Sequence, residues 1–211
     1  SPSPSLPLSL SLAPSLSLAR SSLSHRLQRP ARHDSYAEGD VEAFNIFFVW
    51  EVLRAPLCGC TALVIPDSTI VDPRALVRYL RGANPIGLPA TRVMVTASLT
   101  ENMLAQPALD LERGLAGMKE WLLCGEVCPL LLARDFNRRL AHVTLINDYS
   151  TWESLDVSTA VLDARSTSSS MSAFANCGAP IHNVGIAILD DKMEVSVLLC
   201  TVTFYANLAH S

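Results

Sequence analysis

No uninterrupted run of 18 or more apolar residues occurs in this chain, so no segment reads as a membrane-spanning helix. Basic residues are outnumbered, 16 against 20 acids for a formal net charge of −4, and no basic stripe is visible in the sequence after residue 40. Nucleic acid is therefore not an expected partner. Metal-type cysteine spacing is missing too. The six cysteines, Cys58, Cys60, Cys124, Cys128, Cys177 and Cys200, have apolar neighbours, and no CxxC pair accompanies a spaced His pair. Zinc is not expected. Buried, reduced thiols of a cytoplasmic protein are the expectation.

Acids are absent from the N-terminal segment until Asp34, and varied apolar side chains are absent from residues 1–24, which hold only Ser, Pro, Leu, Ala and one Arg. Such a stretch offers little with which to offset the entropy of ordering it. Residues 1–40 are therefore expected to be low-complexity and unpacked. Arg20, Arg26, Arg29 and Arg32 among many serines suit an organelle transit peptide, and suit featureless low-complexity sequence equally. The chain opens on Ser and its first methionine is Met94, which points to a processed N-terminus or to a fragment.

From Gly39 onward, short apolar runs alternate with amphipathic stretches. Thr61–Ile65, Thr91–Thr96, Lys119–Cys124, His142–Ile146 and Val184–Leu189 read as apolar strands, the first and fourth of them as buried ones. Residues 61–65, 93–96, 120–124 and 142–146 are expected to be neighbouring, largely parallel strands. Asp72 followed by Pro73 is an N-cap with proline at the first helical position, opening a helix through Arg81. Ser98–Ala105 reads as a second helix. Pro129 opens a third, whose Arg134, Arg138 and Arg139 favour its negative C-terminal end. Residues 41–55 read as a helix approach rich in aromatics, Asp163–Ser172 as a serine-rich loop, and Asp190–Asp191 as a turn. This alternation predicts an α/β fold, a mostly parallel sheet flanked by helices, over residues 41–194. Residues 195–211 remain an unassigned tail.

The heptapeptide Asn147-Asp148-Tyr149-Ser150-Thr151-Trp152-Glu153 follows the apolar run 142–146 and reads as a loop at the carboxyl end of a strand. Open α/β sheets bind ligands at that end. Tyr149 offers a flat face for a base, and Glu153 a hard oxygen for magnesium. The alternative is an ordinary strand–loop junction.

Four segments, in order, resemble adenylate-forming (AMP-binding) enzymes. Residues 147–153 resemble that family's Asn-x-Tyr-Gly-Pro-Thr-Glu motif, and Phe44 to Glu51 resembles its Phe-Asp…Trp-Glu helix. Trp121 to Glu126 is similar to the strand and glycine turn beside its adenine. Gly178-Ala-Pro180-Ile-His-Asn183-Val, running to Asp191, is similar to its Gly-x-Pro…Asn…Leu-Asp segment. The nearest likeness is to the adenylation domains of nonribosomal peptide synthetase-like and aminoadipate-reductase-like proteins.

The resemblance implies ATP-dependent activation of a carboxylic or amino acid as its acyl adenylate, followed by transfer to the phosphopantetheine thiol of a carrier domain. It implies ATP or AMP and magnesium as ligands. Tyr149 would stack on adenine beside Gly125, Glu126, Asp148 and Trp152, while Glu153 would hold magnesium and Thr151 would contact phosphate. Asn45, Ile46 or Phe47, with Trp50, Leu122, Cys124, Asp148, Asp156 and Val157, would line the acyl pocket. Relatives that activate amino acids carry an aspartate on the first helix where Asn45 stands, leaving Asp148 or Asp156 to meet a substrate amine. Asp156 also reads as a solvated loop acid.

The departures set a further expectation. Trp152 replaces the family's phosphate-binding threonine. No phosphate loop ending in lysine precedes residue 40, no ribose motif follows residue 194, and no lid lysine is present. The chain is therefore expected to hold part of an adenylation domain and to be inactive in isolation. The alternative is a degenerate, non-catalytic nucleotide-binding or interaction module.

Overall fold

The computed structural model describes residues 36–45, 49–151, 155–168, 172–181, 184–189 and 203–208, without side-chain detail for 49–51, 188 and 203–208. The expected low-complexity residues 1–35 and the Asp190–Asp191 turn lie outside the described residues. Of residues 36–40, Tyr36 and Asp40 are anchored to the domain, Asp40 only 1% exposed, while 37–39 are exposed.

The chain runs β1 (Val41–Phe44), α1 (Val49–Leu57), β2 (Thr61–Val64), α2 (Asp67–Ile70), α3 (Pro73–Leu80), β3 (Arg92–Val95), α4 (Ala97–Leu104), α5 (Leu111–Gly114), β4 (Glu120–Leu123) and α6 (Leu130–Arg139). There follow β5 (Thr144–Thr151), β6 (Leu155–Val161), α7 (Ala164–Ser168), β7 (Ala179–Pro180), β8 (Val184–Leu189) and β9 (Thr203–Leu208). Seven strands form one sheet in the order β2-β1-β3-β4-β5-β6-β7. The first five are parallel, and β6 and β7 are antiparallel. The α/β expectation holds.

Local chemistry explains the helices. Asp72 accepts from the Arg74 N–H at the start of α3, with Pro73 at the first helical position. Thr96 caps α4 through Leu99, and Asp110 caps α5 through Arg113. One face of the sheet carries Val93, Val95, Trp121, Leu123 and Leu145 into the main core, against Leu76 and Leu80 of α3 and Ala133 and Phe136 of α6. The opposite face carries the smaller cluster of Phe44, Met94, Leu122, Cys124 and Ile146.

Four expectations are corrected. Residues 41–44 form strand β1 rather than part of a helix approach; Glu42 interrupts its apolar run, yet is buried beside Arg54 and Tyr36. Because β1 pairs with both β2 and β3, those two strands are not neighbours. Asn147 to Thr151 are strand, since β6 supplies a partner for each of their backbones. Finally, Asp163–Ser172 contains helix α7, where the Asp163 carboxylate accepts from the Ser166 N–H. In the unassigned tail, β9 pairs antiparallel with β8 as a separate two-stranded sheet.

Asp40 anchors the start of β1. Its carboxylate accepts from Lys119 Nζ at 2.6 Å, the Ala37 N–H at 2.8 Å and Thr91 Oγ1 at 2.9 Å. Burial pushes this carboxyl up, but the bonds from Lys119, Ala37 and Thr91 pull harder, and it sits below its ordinary value. A carboxylate depressed by folding contributes stability above its unfolded pKa, lost as pH falls through the folded one. Melting temperature is thus expected to fall on acidification below about pH 4, and Asp40→Asn to flatten that slope. Melting curves across acid pH check this; an unchanged slope in Asp40→Asn contradicts it.

Candidate functional site

β4 stops at Leu123, where its partner in register is Asn147, but β5 continues to Thr151. Beyond β4 the chain turns away at Gly125, whose φ of +81° is left-handed and suits glycine. The overhanging half of β5 and this departing turn leave a crevice at the carboxyl end of the parallel strands. A cavity of about 270 Å³ lies there, lined by Gly125, Glu126, Val127 and Cys128 from the turn, Asn147 to Ser150 from β5, and Ala175 and Cys177.

Each wall is held in place. The Glu126 carboxylate accepts from the Ser98 N–H and from Ser98 Oγ, both at 2.8 Å, at the start of α4. Negative charge suits a helix N-terminus, so Glu126 ties the glycine turn to α4. Asn147 Nδ2 donates to the Asn176 carbonyl at 2.9 Å, and Ala175 N–H donates to the Cys128 carbonyl, drawing the 172–178 segment over the crevice. Gly178 (φ +79°) lets that segment lie against β6, where an added Cβ would stand 1.8 Å from the Thr159 carbonyl oxygen. Cys124 Sγ and Ser150 Oγ lie 3.0 Å apart beneath. Burial pushes the Cys128 thiol up to about 11, while Cys177 is an exposed free thiol.

The structure thus brings Gly125, Glu126, Asp148 and Tyr149 together, with Asp148 buried and Tyr149 half-buried. Thr151 closes β5 at the hairpin. Trp152, Glu153 and Phe47 lie outside the described residues, and Trp50 belongs to α1. Asn45 is engaged elsewhere: its amide donates to the Ile65 carbonyl at 2.9 Å and to Asp67 at 3.0 Å. Leu122 and Cys124 sit in the smaller cluster, and Val157 is buried on β6.

Asp156 is not a solvated acid. Arg54 Nη2 donates to its carboxylate at 3.1 Å, and Arg54 Nη1 lies 3.6 Å from Glu42, with both arginine and aspartate side chains largely shielded from water. Burial alone would lower the Arg54 pKa, but Asp156 and Glu42 hold the guanidinium charged. Tyr36 completes the cluster: its hydroxyl donates to Glu42 at 2.6 Å and its ring lies 4.1 Å from the Arg92 guanidinium carbon. Sequence reading missed Arg54, Glu42 and Tyr36. The only local signal was a lone arginine on the apolar helix 49–57.

Among the described residues no group of three His, Cys, Asp or Glu side chains is placed to hold a metal ion, and no helix is long and apolar enough to cross a membrane.

No family model matches the chain. In sequence it is 34% identical over 119 residues to the glycine betaine reductase ATRR of Emericella nidulans, a match covering 56% of this chain and 9% of that protein. In structure it is similar to CmiS6, with a TM-score of 0.69 and 19% identity over 90% of this chain and 43% of the other. IdnL1 gives 0.68 and 22% over 92% and 38%. PA1221, an NRPS protein containing adenylation and PCP domains, gives 0.57 and 22% over 71% and 28%. At these identities the structural likeness is one of fold. The resemblance read from the motifs holds at that level: the chain has the α/β fold of part of an adenylation domain, and spans less than half the length of the proteins it matches.

Proposed function

We propose that this chain is part of an ATP-dependent carboxylate-activating enzyme, and that the crevice between the β4 turn and the overhang of β5 receives the adenine nucleotide. The observation that carries this reading is the convergence of Gly125, Glu126, Asp148 and Tyr149 on one cavity. A glycine turn lets a flat base approach the backbone, and Tyr149 supplies an aromatic face beside it. At about 270 Å³ the cavity suits a base or nucleoside rather than a whole triphosphate. The strand order reverses between β1 and β3. That switch point is where an acyl group would lie, in the pocket that the resemblance assigns to Trp50 and Phe47. Asp156 is held by Arg54 in an ion pair at 3.1 Å and is a poor partner for a substrate amine. Asp148, buried at the crevice and in the field of Arg54, is the remaining candidate acid.

Glu153, with the nucleotide phosphates, would hold the magnesium that offsets charge at phosphorus, and Thr151 would contact phosphate. Transfer of the acyl group to a carrier thiol, and a cytoplasmic location, complete the reading. The degenerate-module alternative is favoured by one residue, Trp152, in place of a phosphate-binding threonine.

Two results are expected. Labelled AMP should bind the purified chain in equilibrium dialysis and slow alkylation of Cys177. Tyr149→Ala should weaken that binding about tenfold, since stacking on an aromatic ring contributes about 1–3 kcal/mol per base. Unchanged affinity in Tyr149→Ala would remove the crevice from consideration. In ATP–pyrophosphate exchange with a panel of amino and aryl acids, the chain alone is expected to be silent. Losing one preorganised phosphate donor costs about 10²–10³ in rate, and the 211-residue sequence shows no lysine-ended phosphate loop. Acid-dependent exchange that vanishes in Glu153→Ala would contradict this.

A further inference from the structure

We infer that the basin between α3 and α5 is a docking surface for an acidic helical segment of a partner protein. Against the reading that no basic stripe follows residue 40, Arg74, Arg78 and Arg81 are spaced i, i+4 and i+7, which places them on one face of α3 and its C-cap over about 10 Å. Arg113 of α5 joins them, and the four surround an open depression of about 560 Å³ whose floor includes Val77, Leu109 and Gly114. All four arginines are exposed, and none has an ion-pair partner among the described residues. Asp110 also lines the basin, but its carboxylate accepts from the Arg113 N–H as the cap of α5.

This grouping is built by close packing. A Cβ on Gly114 would stand 2.5 Å from Val77 Cγ1, so any larger residue there forces Val77 to shift, and glycine lets α5 lie this near α3 and bring Arg113 beside the other three. Arg78, Arg81 and Arg113 sit at helix C-termini, which favours each singly, but four like charges gathered in a chain of net charge −4 also repel one another.

The chemistry selects the occupant. Arginine forks match carboxylates in pairs of hydrogen bonds, and glutamates spaced i, i+4 and i+7 on a partner helix repeat the arginine spacing. Val77 and Leu109 in the floor are already buried, so the arginines carry the recognition and the floor admits only small apolar contacts between those glutamates. A nucleic acid needs a longer basic track than one such face supplies. Residues 1–33 of this chain contain no acid, so they are not the occupant. The basin shares no lining residue with the nucleotide crevice, and the inference does not rest on that reading.

The test is fluorescence anisotropy of the purified chain with a short labelled helical peptide bearing glutamates at i, i+4 and i+7 and leucines on the same face. Binding is expected at low ionic strength and about tenfold weaker at about 0.5 M salt. The exposed pair Arg74→Glu and Arg78→Glu together should weaken it by more than about tenfold at an unchanged melting temperature. Arg138→Glu, at an exposed arginine on α6 already paired with Asp135, should leave it intact. No binding, equal binding by the reversed pair, equal binding of a lysine version of the peptide, or displacement by polyphosphate at matched charge would each overturn the proposal.

Discussion

Arg54→Met is expected to lower the melting temperature by about 10 °C, since removing one member of a buried ion pair costs about 3–5 kcal/mol and a domain of this size loses about 2–4 °C per kcal/mol. The substitution keeps the apolar stem that packs from α1 onto the sheet. It strands two buried carboxylates, Asp156 on β6 and Glu42 on β1, which sit on strands that do not pair with each other. The charge therefore ties α1 to the second and the sixth of the seven strands, one toward each side of the sheet. Adding Asp156→Asn to Arg54→Met should recover much of the loss, because an uncharged amide no longer needs the guanidinium. Thermal melting of the single and double variants measures this. A double variant no more stable than Arg54→Met would show that the pair with Asp156 is not the source of the loss.

The second large effect is expected from Trp121→Ala. Trp121 is 1% exposed in β4, with its ring 5.7 Å from that of Phe136 in α6, and its indole N–H donates to Thr100 Oγ1 in α4 at 2.9 Å. Truncating a buried aromatic to alanine costs about 3–5 kcal/mol through lost burial and the cavity left behind. Trp121→Phe keeps most of the packing and gives up the hydrogen bond, for which about 1 kcal/mol is expected. Denaturant unfolding of both variants checks the ranking. Equal losses would place the whole contribution in the hydrogen bond. Because β4 leads directly into Gly125, the alanine variant should also loosen the crevice and weaken AMP binding.

The helix starts were legible because their causes are local. Asp72-Pro73 names the beginning of α3 from two adjacent residues, and the runs at 92–95 and 120–123 are buried strands as their composition suggests. The run at 61–64, expected to be buried too, is instead the edge strand of the sheet and leaves Thr61 and Val64 exposed. Strand β1 was not legible. Its acid Glu42 breaks the apolar pattern, and only Arg54 and Tyr36, distant in sequence or local context, make that acid tolerable in the interior. The loop reading of 147–153 failed for a related reason. Asn147 to Thr151 are polar, but a strand needs a partner backbone as well as apolar side chains, and β6 provides one.

By itself, then, the sequence determined the α/β class, the apolar runs that lead to Gly125 and Tyr149, and the chemical character of those two residues. Only the tertiary structure decided that β5 outruns β4 and so opens a crevice between them, that Asp156 is taken by Arg54, and that Arg113 joins the arginines of α3. Each of these depends on which strand or helix lies beside which, and that is set by long-range pairing and packing rather than by any local run of residues.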